Sequence, residues 1–386
     1  MIAVCLAVSF TGCGKNNTDT IKIGFIGPLT GDVAVYGISA RNGAKMYISE
    51  LNAAGGINGK QIEFIELDDK GDPTEAINAY NRLVANDEVV AIIGAVTSDP
   101  TKTVAQASQA DGIPIITPTA THPDITLNYG KNIFRSCFLD PFQGSTMAKF
   151  VYDKLSAKTA AIIYQTTDSY STGLMQSFTE TAKEVGLTIV ATEGYSKGDV
   201  DFKSQLTNIK EMNPDVLFVP DYYNNVYLIA SQAKEIGLEA TLIGVDGTDG
   251  VLQLDGADYT VFNGMYFANH YSTEDESELV QNFLKGYEKE YGTTPNAFAT
   301  LGYDAAMILC AAIDTVNKAG TEITNSAECW AEIIEALKAT DLECVTGHIT
   351  YDENSDPIKS CAIITVKAEK DADGNISAKY ELFGKY

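Results

Sequence analysis

The chain has 386 residues, and this length predicts two domains. Of these residues 45% are hydrophobic and 20% are charged, a composition that is typical of folded rather than disordered chains. Its 52 acidic side chains outnumber the 27 lysines and arginines, so the formal net charge is -25. Such a surface repels phosphate backbones and anionic lipid headgroups, and we therefore expect no nucleic-acid partner.

The first residues predict an export signal. Residues 1–12 form an apolar segment that is too short to span a bilayer and lacks a basic beginning, which indicates a signal whose first residues are missing. The segment ends in the letters FTGC at Cys13, which resemble a bacterial lipobox, so we expect Cys13 to be lipidated. Residues 13–20 would be a tether, and the lipid would be the only membrane contact, at the outer face of the cell membrane. The alternative is a leading strand with an incidental cysteine.

From residue 21 onward, short apolar runs alternate with helical segments. Continuous apolar runs are typical of strands buried on both faces, which predicts parallel sheets covered by helices on each side. A helix is predicted to begin at Asp72, with Pro73 at its first position and Glu75 completing an arrangement like a capping box. The predicted strands of this half are 21–26, 61–67, 89–93 and 113–117.

The second half repeats these units. Three long helices are predicted over 277–291, 297–318 and 327–338, and short strands close the chain. The pattern predicts an α/β fold of two doubly wound, Rossmann-like lobes. The predicted strands of this half are 160–164, 188–191, 216–220, 241–245, 348–351, 361–366 and 378–383.

The sequence lacks the motifs of common enzymes. It contains no phosphate-binding loop, no dinucleotide-binding turn and no GxSxG nucleophile elbow. The histidines His122, His270 and His348 are far apart and show no metal-ligand spacing, so we interpret them as surface or hydrogen-bonded side chains. We therefore expect no enzyme, no cofactor and no metal.

The spacing of the cysteines beyond Cys5 and Cys13 indicates buried thiols rather than a metal or redox site. None forms a CxxC pair, which argues against zinc binding and thioredoxin-like chemistry. One bridge is conceivable, and Cys329 with Cys344 is the pair to test first. The full set is Cys137, Cys310, Cys329, Cys344 and Cys361.

Four segments, in order and spacing, resemble the leucine/isoleucine/valine-binding protein family, the type I periplasmic binding proteins. They are IGFIGPLTG from residue 23, NAAGGING from 52, IPIITPTAT from 113 and GHITYD from 347. The resemblance covers residue 21 to about residue 385. It implies two lobes joined by three crossover strands, with the ligand enclosed in the cleft between the lobes.

The resemblance also implies a division of the chain. The crossings are expected near 134–138, 265–268 and 347–351. Lobe 1 would then comprise 21–135 plus 268–348, and lobe 2 would comprise 136–267 plus 349–386.

One half of the expected site would hold a carboxylate. The turn at 94–100 follows a predicted strand and offers free backbone N–H groups and a hydroxyl, which an α-carboxylate needs. The segment after the next predicted strand adds another backbone donor and hydroxyl. By resemblance, Ser98, Thr119 and Thr121 hold the carboxylate, with Thr97 and Ala120 beside them. The alternative for Ser98 and Thr121 is ordinary capping and turn chemistry.

The other half would hold an ammonium group. Asp246 follows a predicted strand and matches the acidic ammonium partner of the family, which is commonly Glu. Because Asp is one methylene shorter, the ligand would sit deeper or a water would intervene; the alternative is a turn residue. Tyr36, Tyr170 and Tyr222 match ring positions that surround the ligand side chain, and Phe298 matches a further apolar wall. Otherwise these tyrosines simply pack with their hydroxyls at the surface.

The function implied is capture of a branched-chain or similar small amino acid by hinge closure. The protein would be a monomeric, extracytoplasmic substrate-binding lipoprotein that presents its ligand to the membrane permease of an ABC importer. The alternatives are a sensor module, a binder of amides, short-chain acids or aromatic acids, and an enzyme on the same scaffold. One departure from the family is that Gly71 and Thr97 replace a cysteine pair that clasps the first lobe in some relatives.

Overall fold

The computed structural model describes residues 20–386, so the predicted signal, Cys13 and the tether up to residue 19 lie outside the described residues. The first part of the chain alternates strands and helices, as the apolar runs predict. Its elements are β1 Ile21–Gly27, α1 Ala34–Ala53, β2 Ile62–Asp68, α2 Pro73–Ala85, β3 Ala91–Ile93, α3 Ser98–Ser108, β4 Ile115–Thr117, α4 Asp124–Leu127 and β5 Ile133–Arg135.

The second part continues the alternation. After β9 the chain forms short 3-10 turns, the first of which is Asp246–Thr248. The elements are α5 Asp140–Asp153, β6 Thr159–Gln165, α6 Ser169–Val185, β7 Thr188–Tyr195, α7 Lys203–Glu211, β8 Val216–Phe218, α8 Tyr223–Glu235, β9 Thr241–Gly244 and β10 Tyr266–Asn269.

Three helices and four strands complete the chain. The predicted strand at 348–351 corresponds to β12, but its hairpin partner β11 was not predicted, because β11 is short and largely polar. The elements are α9 Glu278–Tyr291, α10 Ala297–Lys318, α11 Ala327–Lys338, β11 Asp341–Cys344, β12 Gly347–Thr350, β13 Ala362–Lys370 and β14 Ile376–Lys385.

Two large sheets organise these elements into two lobes. The first sheet is parallel, with the order β2-β1-β3-β4-β5. The second has the order β14-β13-β10-β9-β8-β6-β7 and is parallel except where β13 and β14 add antiparallel strands. The predicted two-lobe α/β fold is therefore confirmed. The division by residue number stays a prediction: its boundary at 267/268 falls inside β10, and its third crossing at 347–351 coincides with the β11–β12 hairpin.

The helix α10 belongs to the core of the first lobe and packs against α1. The two helices approach so closely that a Cβ on Gly43 would lie 1.9 Å from the Ala299 carbonyl oxygen, and one on Gly302 would lie 2.0 Å from that of Ala40. Only glycine fits at these two positions. Among the described helices, α10 alone is long and apolar enough to cross a membrane, but most of its apolar stretch is buried inside the protein.

The predicted start of α2 is correct in its main feature. Asp72 Oδ1 accepts the N–H groups of Thr74 at 2.8 Å and Glu75 at 3.1 Å, with Pro73 in the first turn. The second half of the capping box is missing, because Glu75 pairs with Lys70 instead.

The conceivable bridge between Cys329 and Cys344 does not form. All five described cysteines are free and buried. Cys329 lies in the first turn of α11 and Cys344 at the end of β11, and both thiols pack into the same hydrophobic core without bonding to each other.

A buried ion pair joins the first and third connections between the lobes. Arg135, at the end of β5, is fully buried, and its Nε lies 2.6 Å from Asp356 Oδ1 in the segment before β13. Thr126 donates to the same carboxylate at 3.0 Å. Nearby, Lys359 donates from Nζ to the Ser136 carbonyl at 2.7 Å. These contacts fix the two connections to each other.

Candidate functional site

A narrow cavity lies between the two lobes, where strands of both sheets end. Ligands of open parallel sheets bind at this carboxyl edge. The structure brings eight of the ten predicted contact residues into the lining, whereas Tyr36 and Ala120 lie outside it. The lining residues are Val96, Thr97, Ser98, Thr119, Thr121, Tyr170, Tyr222, Asp246, Gly247 and Phe298.

The first-lobe wall of the cavity is rich in hydrogen-bond donors. The helix α3 begins at Ser98, and Thr97 at its N-cap makes no side-chain capping bond, so the first N–H groups have no intrahelical acceptor. The helix dipole adds positive potential at this point. Thr121 is 1% exposed, and its hydroxyl lies between the cavity and the buried carboxyl group of Asp140. This wall is therefore suited to an anionic group.

The polar groups of two neighbouring residues form hydrogen bonds within the protein rather than facing the cavity. The Thr119 hydroxyl donates to the Val96 carbonyl at 2.6 Å. The N–H of Ala120 donates to Thr117 Oγ1 at 3.2 Å, and its carbonyl accepts from Arg135 at 2.8 Å. The N–H of Ala120 is therefore already paired, and the predicted ligand contact of Ala120 stays a prediction.

The second-lobe wall is centred on the carboxylate of Asp246, which is 3% exposed. Its Oδ1 accepts from Gln143 Nε2 at 3.0 Å, from the Tyr170 hydroxyl at 2.5 Å and from the Gly247 N–H at 2.9 Å. Its Oδ2 lies 3.1 Å from Nε2 of His270. Four partners thus fix the orientation of the one acidic side chain in the lining.

Sequence analysis missed Gln143 and His270 in this arrangement. Both side chains are buried, and the ring of His270 stacks on Phe138 with a centroid distance of 3.7 Å. Burial lowers the pKa of His270, so its ring is neutral at neutral pH and donates from Nε2 to Asp246. The signal for both was too weak to find, because each is far from Asp246 in sequence.

Tyr170 and Tyr222 form an aromatic wall. Their rings stack with a centroid distance of 5.0 Å and an interplanar angle of 6°. Tyr170 contributes its hydroxyl as well as its ring. The hydroxyl accepts from the Gly247 N–H at 2.9 Å and donates to Asp246. Burial raises the pKa of Tyr170 well above its usual value, so the phenol keeps its proton.

Tyr36 lies behind the lining and connects the lobes. Its ring stacks on Phe298 at 4.0 Å, and so supports the cavity wall from the first lobe. Its hydroxyl donates to the Gly247 carbonyl and accepts from the Tyr223 N–H at 2.9 Å, both in the second lobe. Tyr36 thus forms an inter-lobe hydrogen bond that was not predicted, and its contact with the ligand stays a prediction.

The departure from the family at Gly71 is compensated locally. The N–H of Gly71 donates to Asp69 Oδ1 at 2.8 Å, and this bond holds the loop in place without a disulfide. Thr97, at the other replaced position, lies in the cavity wall. Among residues 20–386, no group of three or more His, Cys, Asp or Glu side chains is placed to hold a metal ion.

Comparison with known proteins agrees with this geometry. A family model described as a periplasmic binding protein matches residues 20–374. The chain belongs to this family. Members of the family are substrate-binding proteins of transporters rather than enzymes.

Three relatives of this periplasmic binding protein are informative. The leucine-, isoleucine-, valine-, threonine- and alanine-binding protein of Pseudomonas aeruginosa is 30% identical over 354 residues, covering 92% of this chain and 91% of the relative. LivJ of Streptococcus pneumoniae, solved in complex with isoleucine, has 32% identity and a TM-score of 0.83, with coverage of 94% and 99%. A solute-binding protein of Rhodopseudomonas palustris BisB5, in complex with 3,4-dihydroxybenzoic acid, has 26% identity and a TM-score of 0.81, with coverage of 95% and 97%.

Proposed function

We propose that this periplasmic binding protein captures a small amino acid, branched-chain or similar, in the cavity between its lobes and delivers it to the permease of an ABC importer. The observation that carries the proposal is the pair of opposed half-sites. The N-terminus of α3 with the Thr121 hydroxyl forms one wall, and the buried Asp246 carboxylate forms the other.

These walls fit the two charges of a zwitterion. The donors at Ser98 and Thr121 suit the α-carboxylate, and Asp246 suits the ammonium group. The side chain would then face the rings of Tyr170, Tyr222 and Phe298. These apolar ring faces suit an aliphatic side chain.

Aromatic acids are the second candidate, because one relative was solved with 3,4-dihydroxybenzoic acid. The stacked tyrosines would suit a flat ring. An aromatic acid has no ammonium group, however, and would leave the buried Asp246 carboxylate facing the ligand without a cation. The acidic wall therefore favours the amino acid.

A thermal-shift screen distinguishes the candidates. A ligand at 100 times its dissociation constant adds about 2.7 kcal/mol to the free energy of unfolding. We expect leucine, isoleucine, valine, threonine or alanine to raise the melting temperature, and benzoate and 3,4-dihydroxybenzoate to leave it unchanged. A shift with the aromatic acids alone would replace the proposed ligand class.

Closure of the lobes depends on the Tyr36 hydroxyl. We expect Tyr36→Phe to raise the dissociation constant for the amino acid about tenfold, because the closed form then leaves the Gly247 carbonyl and the Tyr223 N–H unpaired. Calorimetric titration measures the change. Tyr47→Phe is the control, since that ring packs on Tyr303 away from the cavity. Equal affinity in the Tyr36 and Tyr47 variants would contradict the role of the hydroxyl.

Placement outside the cytoplasm through a lipid on Cys13 completes the proposal. Expression of the full chain in bacteria, followed by membrane fractionation and mass spectrometry, tests it. We expect the protein in the membrane fraction with an acylated Cys13, and release into the soluble fraction on Cys13→Ala. Gel filtration of that variant should give a monomer.

A further inference from the structure

Gln143 connects two buried carboxyl groups behind the cavity. Its Nε2 lies 3.1 Å from Asp140 Oδ1 and 3.0 Å from Asp246 Oδ1. Its Oε1 accepts the backbone N–H of Asp246 at 3.1 Å. Asp140 and Gln143 are both 0% exposed. One amide therefore holds the two acids at a fixed separation.

The positive charges near this pair are committed elsewhere. Arg135 donates to the carbonyls of Ala120 and His122 and pairs with Asp356. Lys359 donates to Ser136. Neither carboxyl group pairs with a lysine or arginine in the part of the chain that the structure describes. The other titratable groups that face the pair are His122, Cys137, Tyr170 and His270.

These four groups bring no compensating charge at neutral pH. Burial lowers the pKa of His122 and His270, raises the pKa of Cys137 to about 12 and raises that of Tyr170 well above its usual value. Burial and the charge of Asp246 raise the pKa of Asp140 well above the usual Asp range, against the opposite effect of hydrogen bonds from Thr121 and Gln143. Two like charges in a buried site favour protonation of one member. Asp140 is fully buried whereas Asp246 lines the cavity, so the proton belongs on Asp140.

We propose that Gln143 joins Asp140 and Asp246 into one proton-sharing pair, and that capture of an ammonium-bearing ligand releases the proton that this pair holds. The proposal rests on the amino-acid function proposed above. An ammonium group beside Asp246 supplies the positive charge that the pair lacks. The O–H bond of Asp140 then breaks, and its proton passes to water.

Thr121 places the proton close to the ligand. Its side chain approaches the Asp140 carboxyl group and also lines the cavity. The Thr121 hydroxyl hydrogen-bonds the Asp140 carboxyl group and lowers the pKa of that group. A positive charge in the cavity would therefore be separated from the Asp140 carboxyl group only by the Thr121 side chain and would lower the pKa of Asp140.

The sign of the linkage follows from the charges. An ammonium ligand lowers the pKa of Asp140, so binding releases protons and the affinity rises as pH rises between the ligand-bound and ligand-free pKa values. The slope is at most about tenfold per pH unit, the limit for one linked proton. An acid without an ammonium group raises that pKa, so its binding takes up protons and weakens as pH rises. The direction of proton exchange thus also reports the ligand class.

Calorimetric titration of the wild-type chain with the tightest amino acid of the screen tests the proposal. Titrations in buffers of different ionisation enthalpy, from about pH 5 to about pH 8, give the number of protons exchanged. We expect release of up to one proton per ligand and a dissociation constant that falls as pH rises. Amino-acid binding without proton exchange at any pH would overturn this inference and leave the proposed function intact. Absence of amino-acid binding would overturn both.

Variants locate the proton. We expect Asp140→Asn to bind with no proton release, because the amide keeps the acceptor for Gln143 but cannot titrate. Gln143→Met removes an N–H donor that favours the charged form of Asp140, so we expect the pH range of proton release to move upward, a readout that a merely structural role would not change. Asp69→Asn is the control, since that Asp is also buried but lies outside the cavity lining. Proton release that persists in Asp140→Asn would contradict the assignment. If Asp140→Asn does not fold, the wild-type titration still decides.

Discussion

Replacing Asp246 with alanine should weaken amino-acid binding by about 2–5 kcal/mol, or roughly 30-fold to several thousand-fold in the dissociation constant. The large effect is expected because the ligand ammonium would be enclosed without its anion in a site from which water is excluded. Gln143, Tyr170 and His270 would also lose their common acceptor. Calorimetric titration of the variant measures the loss.

Two further variants separate the charge from the packing around it. Asp246→Asn keeps the size of the side chain and removes only the charge, so we expect most of the loss to persist. Asp69→Asn should bind like wild type. An Asp246→Ala protein that folds and binds the amino acid with unchanged affinity would show that the ammonium group lies elsewhere.

The second large effect concerns stability. Asp356→Ala should lower the free energy of unfolding by about 3–5 kcal/mol, because it leaves the fully buried guanidinium of Arg135 without its ion-pair partner. Urea unfolding, followed by circular dichroism, measures the change.

Two controls distinguish the buried charge from a general effect of losing an ion pair. Asp314→Ala removes the partner of the largely exposed Lys318 and should cost less than about 1 kcal/mol. The double variant Arg135→Met with Asp356→Leu replaces both charges by apolar groups and should recover most of the stability. A single Asp356→Ala variant no less stable than Asp314→Ala would contradict the stabilising role of the buried pair of Arg135 and Asp356.

The cavity residues that sequence analysis found share one property. Ser98, Thr119, Tyr170, Tyr222 and Asp246 each follow a strand end closely, and the ends of parallel strands meet at one edge of a sheet. Apolar runs located those ends, although β3 and β4 are shorter than the runs that predicted them. The two-lobe fold followed from the same alternation.

The residues that were missed depend on contacts between distant parts of the chain. Gln143 meets Asp246 across 103 residues, and the Tyr36 hydroxyl meets Gly247 across 211 residues. No local sequence pattern predicts which face of α5 packs toward the end of β9. Nor does one predict that the Tyr36 hydroxyl donates a hydrogen bond across the cleft. The bond from the Ala120 N–H to Thr117 was not predicted for a related reason, since side-chain orientation decides it. Periodicity therefore predicts where a site lies better than which hydrogen bonds complete it.

A crystal structure with the tightest amino acid of the screen tests the central claim most directly. The account predicts the ligand carboxylate at the N-terminus of α3, within hydrogen-bond distance of Ser98 and Thr121, and the ammonium group within hydrogen-bond distance of Asp246. A ligand with these two ends exchanged, or one bound outside the cavity, would contradict it.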